Sequence, residues 1–240
     1  MKLLTFIILS FALITGCGDD PVYSPNQFEA EAGDTQFVNL TTQTNLIVKN
    51  TNGTISVSAS DTLSGVYCEI TRKVKSKISE ADAQSHLEEI EVIITNNSTG
   101  ISIDIDHPTN DDRDYEILLD ILLPDNFKYD LSLGNGTVST NSTTRYLVVG
   151  LGNGVVETDI TLADTCFTSI SLGNGDLNFT IPDNTNAMLV ASVGNGLISN
   201  NGLSFQNQHA TSSQFSGTLG NGAGNIVLSV GNGNIVMNRK

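Results

Sequence analysis

Tryptophan is absent from this 240-residue chain, and with 11 Lys and Arg against 26 Asp and Glu the formal charge is −15. So few bases leave little from which to build the phosphate-neutralising patch of a nucleic-acid binder, and nucleic acid is not expected as a partner. Only 15% of residues are charged, yet 39% are hydrophobic, which excludes disorder over the whole length. Proline is sparse at 5 residues while glycine reaches 22, a bias toward turns with positive φ. The apolar run from Leu3 to Thr15 holds 13 residues, too few to cross a bilayer as a helix.

That run suits an export signal, because Lys2 precedes it and small residues close it. Ile14-Thr15-Gly16-Cys17 resembles the lipobox of bacterial lipoproteins, although that motif usually has Leu where Ile14 stands. The resemblance implies a signal peptide over residues 1–16, cleavage between Gly16 and Cys17, and acylation of Cys17 with chains such as palmitate. Each buried CH₂ adds about 0.8 kcal/mol, so several chains anchor a protein without a spanning helix. The same resemblance, with Gly18 in place of Asp, implies an outer-membrane or surface destination in a host that has an outer membrane. The alternative is an ordinary cleaved signal with a Cys nearby. Loss of residues 1–16 removes Lys2 and no acid, leaving 10 bases against 26 acids, or −16.

Residues 17–34 are acidic and polar, broken by Pro21 and Pro25, and read as a tether to a domain spanning 35–240. Cys68 and Cys166 both fall in strand-like stretches. An exported chain permits a disulfide between them, but each is equally readable as a small buried hydrophobe.

From Gln36 to Asp130 short apolar runs and alternating segments such as Ile101-Ser102-Ile103-Asp104-Ile105 predict strands. One helix is expected near 80–90, where Ser79 offers an N-cap and Ala83, Leu87 and Ile90 recur at helical spacing. Residues 1–130 hold 21 of the 26 acids and 8 of the 11 bases.

The most specific pattern is a repeat between 128 and 240. Gly-Asn-Gly occurs at Gly134-Asn135-Gly136, Gly152-Asn153-Gly154, Gly173-Asn174-Gly175, Gly194-Asn195-Gly196, Gly220-Asn221-Gly222 and Gly231-Asn232-Gly233, at steps of 18, 21, 21, 26 and 11. Before each tripeptide stand a small residue and then Leu or Val. Two residues after it the side chain is branched and apolar in five of six, Gly224 being the exception. Each unit is therefore strand, corner, strand, and a period near 20 is the mark of stacked architectures. The expected fold is all-β, a β-solenoid or β-helix-like stack whose Asn side chains can hydrogen-bond from coil to coil. The alternative, an antiparallel meander, would use Asn-Gly as a tight hairpin turn. The short last step suggests a hairpin-like closing unit, and Thr51-Asn52-Gly53 is an earlier echo of the corner.

The run of strands, the helix after Arg72-Lys73, Ile121-Leu122-Leu123-Pro124 leading into Tyr129 to Gly136, and the glycine-rich close from Leu219 to Met237 together resemble a bacterial β-strand-repeat family of proposed adhesins. The resemblance covers about residues 35–240, and it implies export and a surface role without naming a ligand.

No constellation for chemistry competes with this reading. Gly-Asn-Gly lacks the third glycine, or the following Lys, of a phosphate-binding loop, and only Gly173-Asn174-Gly175-Asp176 offers the Asp of a calcium repeat. Asp104, Asp106, Asp111, Asp112 and Asp114 could offer oxygens to calcium, but Pro108 and the missing Gly and Glu exclude an EF-hand loop, and a solvated loop is the plainer account. His86, His107 and His209 share no metal-ligand spacing. Catalytic residues, metal and cofactor are all expected to be none. The expected function is a non-enzymatic, lipid-anchored cell-envelope protein, an adhesin or scaffold. It would meet the membrane through its lipid and a surface glycan or envelope protein through its strands. A polysaccharide-active enzyme on a β-helix, with paired carboxylates, is one alternative, and an envelope stress or assembly component is another.

Overall fold

Period-two patterning becomes period-two burial. In the computed structural model, which describes residues 27–109 and 112–240, thirteen strands form one open sheet with one short helix beside it. The proposed signal, Gly16, Cys17 and Asp111 lie outside the described residues. The strands are β1 (Phe28–Asn39), β2 (Asn45–Ala59), β3 (Gly65–Ser76), β4 (Glu91–Asn96), β5 (Ile101–Asp106), β6 (Asp114–Leu123), β7 (Lys128–Ile181), β8 (Ala187–Asn195), β9 (Ile198–Asn201), β10 (Gln206–Ala210), β11 (Gln214–Leu219), β12 (Gly224–Asn232) and β13 (Ile235–Arg239). Phe28 to Asp34, assigned to the tether by their acidic composition, are instead the start of β1, which pairs with β3 over its whole length. Their carboxylates are used there: Glu31 meets Lys73 at 3.1 Å and Asp34 faces Arg72 at 4.0 Å.

The middle of the sheet is parallel. The two arms of β2, before and after Asn52, lie in register with β7, so that Asn52 is opposite Asn135 and Gly53 opposite Gly136. On its other edge β2 meets β5 with the first arm and β6 with the second. Antiparallel pairs close this end, β3 on β6, β1 on β3 and β4 on β5. The helix α1 (Glu80–His86) packs against β1 and β3, and its Ser79 cap accepts from the Asp82 amide.

At the other end the spatial order departs from the chain order. β12 pairs in parallel with β7 on one side and with β8 on the other, and β13 likewise lies between β7 and β9. The last 17 residues thus enter between two segments formed earlier in the chain. β11 then pairs antiparallel with the free edge of β8, and β10 with β11.

Residues facing inward from both arms form one continuous buried core, with Tyr129, Phe179, Leu46 and Ile55 among its largest fully buried side chains. Burying each such side chain contributes about 1.5–3 kcal/mol, which is what holds arms of only five or six residues together. Cys68 and Cys166 are part of this core and are both free thiols.

Candidate interaction surface

Five of the six Gly-Asn-Gly tripeptides form one column of corners, and the earlier echo at Thr51-Asn52-Gly53 is its first member. Asn135 donates its side-chain amide to Asn52 Oδ1 at 2.8 Å, and Asn153 to Asn135, Asn174 to Asn153, Asn232 to Asn174 and Asn195 to Asn232, each at 2.7 Å. Every donor points the same way, so the ladder is a chain of aligned amide dipoles on the outside of the molecule. Glycine stands on both sides of Asn135, Asn153, Asn174, Asn232 and Asn195, and after Asn52, because the backbones touch there. At Gly154, with φ of 138°, a Cβ would overlap the carbonyl oxygen of Gly136.

Gly220-Asn221-Gly222 does not belong to this column. It forms the turn between β11 and β12, closed by the Gly222 amide donating to the Leu219 carbonyl at 3.0 Å, and Asn221 N donates to Asn186 Oδ1 instead of joining the ladder. The corner expected there is corrected on that ground. Gly224, the one residue that broke the branched apolar rule after a tripeptide, was the available signal.

Because the corners are in register, each position relative to the corner makes a row across the sheet. Odd positions before it point inward and are buried: Leu133, Leu151, Leu172, Val230 and Val193 make the last such row. Even positions point outward. Two residues before the corner stand Ser132, Gly150, Ser171, Ser229 and Ser192, and four before it Asp130, Val148, Ser169, Val227 and Val190. Six before it come Lys128, Tyr146, Phe167, Asn225 and Met188, with Tyr146 and Phe167 stacked at 5.4 Å between ring centroids. This first-arm face leaves large apolar groups in water: Phe167 is 38% exposed, Met188 57%, Val190 46% and Val227 36%. A hollow of about 280 Å³ beside Tyr146, lined also by Ile47, Lys128 and Asp130, marks its near margin.

The second-arm face is different in kind. Its outward rows hold Glu157, Asp159, Asp176, Asn178 and Asn238, and a polar depression of about 380 Å³ lies over Glu157, Asp159, Asn178 and Thr180. Most carboxylates of the repeat region are already engaged. Asp159 meets Lys240 at 2.8 Å, Asp164 accepts from Asn186 at 2.8 Å, Asp176 from Asn234 at 2.9 Å, and Asp183 from the Ser204 amide at 2.9 Å.

In the first half, Asp82 ties the helix α1 to its surroundings. Asp82 takes a bidentate contact from Arg113 at 2.7 and 2.8 Å and a hydrogen bond from Ser76 at 2.6 Å. Arg113 and then Ser76 hold its carboxyl down at about 2. His86 lies 2.7 Å from Glu89, His107 stacks on Tyr115, and His209 is in β10, so the three histidines are dispersed. Among the described residues no cluster of three or more His, Cys, Asp or Glu could hold a metal ion, and no helix is long and apolar enough to cross a membrane.

No protein-family model and no curated protein matches the chain. Among solved structures, a proposed cell adhesion protein from Clostridium sporogenes is similar over 88% of this chain and 100% of its own, at 12% identity and a TM-score of 0.59. The two share a fold. A proposed adhesin from Bacteroides fragilis covers 85% of this chain and 96% of its own at 9% identity, with a TM-score of 0.25, an overlap too small to carry an argument.

Proposed function

We propose that the protein is a lipid-anchored β-solenoid of the cell envelope that works by surface contact and not by catalysis. The observation that carries this reading is the first-arm face, where Phe167, Met188, Val190 and Val227 stand exposed on adjacent strands, in contrast to the acidic and polar second-arm face of the same repeats. Large exposed apolar patches rimmed by polar residues mark interaction sites. The solenoid reading rests on the Asn ladder and the parallel register of the arms. The shared fold with a proposed cell adhesion protein of Clostridium sporogenes supports a surface role.

Anchoring rests on the lipobox-like Ile14-Thr15-Gly16-Cys17. A binding role is favoured over glycan hydrolysis by the use made of the carboxylates, since Asp159, Asp164, Asp176 and Asp183 each have a partner within the fold. The test is to compare the chain with its Cys17→Ala variant in membrane fractionation and in adherence of producing cells to glycan-coated and protein-coated surfaces. Loss of both membrane retention and adherence is the expected result. A Cys17→Ala chain that fractionates with membranes as the parent does would overturn the anchoring.

A further inference from the structure

We propose that the first-arm face is a docking surface for a second copy of this chain, which makes the protein self-adhesive between opposed membranes. The proposal rests on the surface-contact reading above and names its partner. Five adjacent strands build the face: two segments of β7, then β12, β8 and β11. Their fifteen outward positions, from Tyr146 to Gln214, contain no charged residue.

That composition selects the partner. A chain of net charge −15 repels its own copies, and the second-arm face with Glu157, Asp159 and Asp176 would bring carboxylates together. On the charge-free face self-approach avoids that cost. A charged partner, in turn, would find nothing there to pair with. The alternation of Ser171, Ser229 and Ser192 with Val227 and Val190 also suits an identical face better than lipid hydrocarbon, because hydroxyls left in hydrocarbon lose their hydrogen bonds whereas a facing serine row can replace them. Two such sheets pack with valines interdigitated at about 10 Å.

The size of the face sets the strength. Five strands at about 4.8 Å and arms of five residues at about 3.3 Å give roughly 400 Å² per partner, half of the roughly 800 Å² per partner of a stable complex. Single copies are therefore monomeric in dilute solution, and contact is made by many copies held on two surfaces, where effective concentration replaces affinity.

The test uses phosphatidylcholine vesicles carrying a nickel-chelating lipid and the chain with Cys17→Ala and a histidine tag in place of residues 1–16, so that it holds whether or not Cys17 is acylated. Vesicles coated with the parent are expected to cluster, with a several-fold rise in turbidity. Val227→Asp is expected to return it to baseline, and so is Val227→Lys. Mixing Val227→Asp vesicles with Val227→Lys vesicles is expected to restore clustering, a rescue that a misfolded variant could not give. Ser199→Asp on the other arm is expected to leave clustering unchanged. The proposal is overturned if the parent does not cluster, if Val227→Asp clusters as the parent does, if the mixture is not rescued, or if coated vesicles cluster equally with bare ones, which would make lipid the occupant.

Discussion

Asn195 donates its side-chain amide to Asn232, 37 residues later in the chain, at 2.7 Å, while Asn232 donates to Asn174, 58 residues earlier. The column of corners is therefore ordered 174, 232, 195. The C-terminal segment is a wedge between β7 and β8, and Val227 stands between Phe167 and Val190 on this face only once it is in place.

Interior rungs of the ladder should matter more than its end. Asn153 donates one amide bond and accepts another, so Asn153→Ala should cost about 1–2 kcal/mol, since each net hydrogen bond contributes roughly 0.5–1.5 kcal/mol. Asn195 makes one ladder bond as donor, and Asn195→Ala should cost about half as much. Urea denaturation of both variants measures the difference.

Two neighbouring glycines should separate conformation from space. Gly154→Ala places a Cβ on the Gly136 carbonyl at a φ of 138°, and should cost about 3 kcal/mol or more. A Cβ at Gly150 meets nothing closer than the Ser132 hydroxyl at 3.9 Å, so Gly150→Ala should be neutral within about 0.5 kcal/mol. Thermal melts followed by circular dichroism would distinguish them.

Asp82 gives the acid limb of stability a defined place. Arg113 and then Ser76 hold its carboxyl at about 2, below the 3.8 of an ordinary aspartate, so the unfolded chain binds the proton more readily. The stabilisation is complete above about pH 4 and is lost as pH falls toward 2. Asp82→Asn should remove that part of the slope, measured as the melting temperature of parent and variant between pH 2 and 5.

Both core thiols should be silent in the folded protein. Burial first, then Asp120 and Asp34, push the Cys68 thiol up to about 12, and burial also raises Cys166. On the Cys17→Ala background a disulfide-exchange reagent at pH 8 should label neither thiol before unfolding and both after it, with no mass change on prior reduction.

The strands and the helix near Glu80 were legible because period two and a Ser79 cap are local signals. Five of the six corners were legible because backbone contact there favours the repeated glycines; the sixth, Gly220-Asn221-Gly222, carries the same tripeptide in a tight turn. The place of the C-terminal segment was not, since near-identical repeats carry no information on which is whose neighbour. Nor was β1, whose acidic residues read as tether because their partners Lys73 and Lys75 lie on another strand some forty residues on. The uncharged face was present in the alignment of repeats, at two, four and six residues before each corner, but only the register shows that those positions form one surface.

The most direct test of this order is disulfide trapping on the Cys17→Ala background. Ser229 is paired with Ser192 on one side and Ser171 on the other. The Ser192→Cys/Ser229→Cys chain should form an intrachain bridge under mild oxidation. The Ser171→Cys/Ser192→Cys chain should not, because two strand spacings, about 9.6 Å, exceed the roughly 7 Å that a disulfide spans. A bridge in the second chain and none in the first would mean that the repeats stack in chain order, and would contradict the placement of the C-terminal segment between β7 and β8.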